Sequence, residues 1–115
     1  MNIIAFAGDL SGLDNIAHQC HETASSKGFW PVEGRNKAEM MMLEVSEIVE
    51  RLEAVRAENA KESKKCPGYT EEEEEWADLM IRTLDYAKGH CIRIEVLLVK
   101  MAYNEKRPYM HGKKF

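Results

Sequence analysis

From Thr70 to Asp85 the chain reads TEEEEEWADLMIRTLD, five consecutive glutamates running into a segment of helical apolar spacing. Thr70 followed by Glu73 makes a capping box: the hydroxyl accepts from the amide three residues on, and the carboxylate reaches back. Acids in the first turn also match the positive end of the helix dipole. Trp76, Leu79, Met80, Leu84 and Ala87 form the apolar face, with Trp76 read as core. Glu75, Asp78, Arg82 and Asp85 form a separate polar stripe, in which Asp85 could join a metal shell or orient Arg82, the ion pair being preferred. Residues 37–59 repeat the device. Met41, Met42, Val45, Ile48, Val49, Leu52 and Val55 make one broad apolar face, while Glu44, Glu47 and Glu50 follow every third residue down its flank. Two helices of this kind can point their carboxylates at one another.

The remaining segments extend the helical reading. Ser11 and Asp14 resemble a capping box, so a first helix is expected over residues 13–27, ended by Gly28. Phe29-Trp30-Pro31 breaks the pattern, and residues 60–69, AKESKKCPGY, read as a turn or mobile loop around Pro67-Gly68. Gly89 is expected to end the third helix. The nearly continuous apolar run after it admits a strand, but an isolated strand has nothing to pair with. A buried fourth helix over residues 91–104 is therefore preferred, stopped by Arg107-Pro108. Residues 1–10 read as an N-terminal arm and 106–115 as an irregular basic tail. The expected fold is a single all-α domain of 115 residues, a bundle of about four helices. These helices are apolar over more of their circumference than one small bundle needs, so a homodimer or homotetramer is expected.

Bulk charge, −4 at pH 7, names no partner, and nothing in the chain points to a nucleic acid polymer. Its distribution says more. Residues 71–78 hold six acids and no base, whereas 100–114 hold Lys100, Lys106, Arg107, Lys113 and Lys114 against Glu105 alone. That asymmetry suits an anionic ligand bound through a metal. Cys20, Cys66 and Cys91 are scattered and odd in number, which favours reduced thiols in a cytosol. The apolar start MNIIAFAG is too short to span a bilayer and lacks the charged flank of a signal peptide, so a cytoplasmic protein with no membrane partner is expected. There is no phosphate-cradling glycine loop.

Glu75 and Asp78 lie on one side of a helix, as do Glu44 with Glu47 and Glu47 with Glu50. Carboxylates about 4 Å apart repel by about 4 kcal/mol per pair at an effective dielectric near 20. Either some remain protonated or a hard cation sits among them, and an all-oxygen set favours magnesium or manganese over zinc. Solvated helix faces carry similar glutamate runs, and Glu71 to Glu74 are assigned to solubility and dipole matching. His18, Cys20 and His21 are not read as a zinc site, because neighbours on a helix point apart and no fourth ligand is apparent.

The joint pattern resembles the MazG-like nucleotide pyrophosphohydrolases, whose motif is a glutamate pair on one helix and E-x-x-D on the next. EVSEIVE (44–50) matches the first half and EEWAD (74–78) the second; KGFW (27–30), LEAVR (52–56), IRTLDYA (81–87) and KMAYNEKRPYMHGKKF (100–115) are similar to members as well. The family often doubles the first glutamate, where this chain has Leu43. It also tends to have an acid where this chain has Arg93. The resemblance implies an all-α NTP pyrophosphatase architecture and magnesium-dependent cleavage of a nucleoside triphosphate to monophosphate and pyrophosphate, in nucleotide-pool housekeeping. Metal ligands would come from Glu44, Glu47, Glu50, Glu75 and Asp78, the register between Glu44/Glu47 and Glu47/Glu50 staying open. Glu47 or Glu50 would accept the proton of the attacking water. Lys100, Asn104 and Arg107 resemble the family's phosphate-contacting set, and Phe29 or Trp30 would stack on the base. The rivals are a non-catalytic helical interaction module, and the same fold hydrolysing a nucleoside diphosphate or an alarmone.

Overall fold

A computed structural model describes residues 10–57 and 60–114. Its elements are α1 (Leu10–Ser26), α2 (Lys37–Arg56), α3 (Glu71–Gly89) and α4 (Val96–Glu105), followed by a 3-10 turn at Tyr109–Gly112. Among the described residues there is no strand, only an isolated antiparallel bridge between Glu62 and Thr70. No helix is long and apolar enough to cross a membrane among those residues. The expected arm falls outside them, apart from Leu10.

α3 is the central helix, with α1 and α2 both packed against it. Its start is the capping box: Thr70 accepts from Glu73 N at 3.1 Å, and Glu73 accepts from Thr70 N at 3.1 Å. α2 starts from Asn36, whose side chain accepts from Glu39 N at 3.0 Å. It is helical to Arg56, and Ala57 is already extended. α1 begins at Leu10, so Ser11 lies inside the first turn rather than capping it. Gly28, at φ +87°, closes α1, and Phe29 N donates back to Ala24 O at 3.0 Å. The fourth helix starts later than expected, at Val96, because Cys91 takes a positive φ of 56° and the chain turns there.

The interior differs from the periodic apolar faces. Buried apolar residues are Ala17, Met40, Leu84, Ala87 and Leu98, and buried beside them are the polar Glu47, Ser63 and Asp85. α2 turns its Met40–Glu47 side inward, which leaves Met41, Met42, Val45, Ile48, Val49, Leu52 and Val55 exposed on the other side. Trp76, read as core, is 52% exposed, and the supposedly buried fourth helix buries only Leu98. The apolar stripes exist; among the described residues nothing covers them.

Trp30 ties the loop after α1 to the end of α3. Its ring lies on Gly89 so closely that a Cβ there would meet it at 2.2 Å. His21 and His90 meet the same ring edge-on, with centroids 4.9 and 5.1 Å away.

Candidate metal centre and cleft

α2 contributes Glu47, and α3 contributes Glu75 and Asp78 from adjacent turns. One carboxylate oxygen from each lies within 4.8 Å of the other two. Glu47 is 6% exposed. Its Oε1 accepts from Arg82 Nε at 2.8 Å, while its Oε2 is buried with no hydrogen-bond partner among the described residues. Glu75 Oε2 is buried and unpartnered in the same way. Two orphaned buried oxygens in an acidic nest are costly, because each has lost water and gained nothing.

The charges respond accordingly. Glu75 is pushed up to about 7, first by burial and then by the adjoining carboxyls of Glu50, Glu47 and Asp78. Burial, Glu47 and Glu74 raise Asp78, against a smaller opposing pull from Lys65 and Arg82. Burial also works to raise Glu47, but the hydrogen bond from Arg82 and the neighbouring carboxyls outweigh it and hold Glu47 below its ordinary value. Glu44 is raised by burial, opposed by Arg82.

The nest opens into a cleft of about 750 Å³. Glu47, Glu50, Glu75 and Asp78 line it, so the glutamate register that faces the cleft is 47/50, and Glu44 lies off its wall. Lys27, Arg35, Lys65 and Arg82 bring positive charge to the same cleft, and Phe29 with Ile16 and Ile81 gives it an apolar part. Trp30 does not line it. The indole N–H instead donates to Asp85 Oδ1 at 2.8 Å, making Trp30 an anchor.

Asp85 is a buried hub rather than Arg82's partner. It holds Trp30, it accepts from His21 Nδ1 at 2.9 Å, and Arg35 Nη1 approaches its Oδ2 at 4.0 Å. Arg82 turns to Glu47 because that carboxylate is buried against other acids and gains more from a cation. His18 pairs with Glu22 one turn on, and Cys20 lines the cleft with its thiol raised by burial and by Asp85. Among the described residues the acid triad is the one group of three or more His, Cys, Asp or Glu close enough to share an ion.

Lys100, Asn104 and Arg107 do not line the cleft of their own chain. Lys100 Nζ and Arg107 Cζ sit 4.7 and 5.8 Å from the Tyr103 ring centroid, and Asn104 Oδ1 is buried without a partner among the described residues. Sequence reasoning missed Lys65 and the Arg82–Glu47 pair. The adjacent lysines of ESKKC were a visible signal for the first, but no periodicity fixes where a loop side chain points. The chain matches no family model, no curated protein and no solved structure.

Proposed function

We propose that this chain is a magnesium-dependent nucleoside triphosphate pyrophosphohydrolase that releases a nucleoside monophosphate and pyrophosphate, with manganese as a substitute ion. The observation that carries the reading is the pair of buried, unpartnered oxygens, Glu47 Oε2 and Glu75 Oε2, beside Asp78 at the acidic end of a nucleotide-sized cleft. That donor set, all oxygen and partly desolvated, fits a hard divalent ion. Glu47, Glu75 and Asp78 would hold it, and when bound it would supply charge neutralisation to the phosphate oxygens.

The chain's own groups do the rest. Arg82 fixes the Glu47 carboxylate through Oε1 and leaves Oε2 buried without a partner among the described residues. Glu50 lines the cleft and is exposed to solvent, which suits it to accept the proton of an attacking water. Phe29 offers a ring on which a base can stack. Lys100, Asn104 and Arg107 take part only where a second copy brings its α4 to the cleft, and pairing of copies through the bare apolar faces belongs to the same proposal. The exposed face of α2 also favours the rival reading, a helical interaction module without chemistry.

Incubation with magnesium and each triphosphate, assayed for pyrophosphate, separates the two. Glu47→Gln and Asp78→Asn are expected to lower turnover by about a hundredfold or more, with helical circular dichroism retained. Near-normal rates in both variants would overturn the metal-centre reading.

A further inference from the structure

We propose that residues 61–69, ahead of α3, are a phosphate-binding element, in which Lys65 contacts the polyphosphate of the substrate. The proposal rests on the nucleotide-hydrolase reading and adds a residue to it.

Its first support is the unusual order of the segment. Ser63 is 2% exposed, the deepest side chain in the segment. Its N–H donates to Tyr69 O at 2.7 Å, its hydroxyl donates to Glu74 Oε1, and the same oxygen accepts from Cys66 N at 2.9 Å. Gly68 N donates to Glu62 Oε1 at 3.1 Å, and Glu71 N donates to Lys61 O at 2.9 Å. No apolar side chain is buried by this arrangement. The hydrogen bonds therefore fix the shape of a loop that contributes little to the core, and Glu74 locks that shape to the helix carrying Glu75 and Asp78.

The second support is what the loop presents. Lys65 lines the cleft on the side of the acid nest and acts electrostatically on Asp78. Arg82 is committed to Glu47, and Arg35 lies against Asp85 and the Trp30 ring. Lys27 and Lys65 make no ion pair with any described residue, and of the two it is Lys65 whose charge acts on Asp78. A polyphosphate entering beside Glu50, Glu75 and Asp78 needs cations beyond those already paired, and an ammonium on a pre-shaped loop supplies one at little ordering cost.

The test uses the full chain and a non-hydrolysable α,β-methylene triphosphate analogue, titrated by calorimetry in saturating manganese; manganese affinity is measured separately without nucleotide. Lys65→Ala is expected to weaken analogue binding about tenfold or more. Manganese affinity should be unchanged or tighter, since a positive charge beside Asp78 is gone. Lys65→Arg should bind the analogue nearly as wild type. Ser63→Ala keeps the lysine but loosens the loop, and should show the same loss in smaller measure. Wild-type analogue affinity in Lys65→Ala, or a parallel loss of manganese affinity, would overturn the proposal alone. Failure of the wild-type chain to bind the analogue would overturn the hydrolase reading with it.

Discussion

Glu75 couples the candidate centre to stability. Its carboxyl sits at about 7 in the folded chain against an ordinary 4.5, through burial and the neighbouring Glu50, Glu47 and Asp78 carboxyls. A folded state that holds the proton more tightly loses stability as pH rises from the unfolded value through the folded one. Glu44 and Asp78 shift in the same direction, while the lowered Glu47 acts at more acid pH, outside this window. His90, lowered first by burial and then by Lys37 and Arg35, opposes them inside it as one group against three. Metal-free protein is therefore expected to unfold at lower denaturant near pH 8 than at about pH 6, with Glu75→Gln flattening the difference. Magnesium should raise the midpoint more at the higher pH, where it competes with fewer protons. Urea melts in chelator and in magnesium check this, and equal midpoints at both pH values in chelator would refute it. The carboxylates themselves were legible, because E-x-x-E and E-x-x-D spacing fixes which acids share a helix face. Their partners were not. Arg82 and Asp85 are three residues apart and read as a pair, yet the deeper carboxylate of Glu47, brought in by another helix, takes the arginine.

At the scale of elements, the helix starts and stops were written in local chemistry. Thr70 with Glu73 opens α3, and Gly28 closes α1. Gly89 ends α3 as the sequence indicates, and what spacing hid is that it is also the floor under Trp30. Helix propensity alone would make Gly89→Ala stabilising by about 1 kcal/mol. The added Cβ would instead meet the indole at 2.2 Å, and the ring is held by its bond to the buried Asp85. Overpacking costs of about 1–3 kcal/mol exceed the propensity gain, so the substitution should destabilise. Combining it with Trp30→Leu should recover part of the loss relative to Trp30→Leu alone. Thermal melts of the four chains in this cycle measure the coupling, and simple additivity would remove the contact from the account.

At the scale of the molecule, the radius of gyration is 17.0 Å, whereas a compact chain of this length has about 13 Å. α1 and α2 pack on α3 while α4 stands off all three, and the inward surface of the packed helices goes to Glu47 and Asp85 while α2 leaves its apolar stripe outside. Periodicity showed that such stripes exist and are wider than one small bundle needs, but it carries no mark of which of their residues the chain itself covers. An uncovered face with Val45, Ile48, Val49 and Leu52 each more than two-fifths exposed is expected to bury itself against a second copy. Wild-type protein at micromolar concentration should sediment as a dimer or larger. Val45→Glu combined with Leu52→Glu sets charge in the middle of the face and should give monomer, with a melting temperature that no longer rises with protein concentration. If the wild type sediments as a monomer, the acid-lined interior would have to be stable without that cover, and the account of why the apolar stripe faces outward would fail.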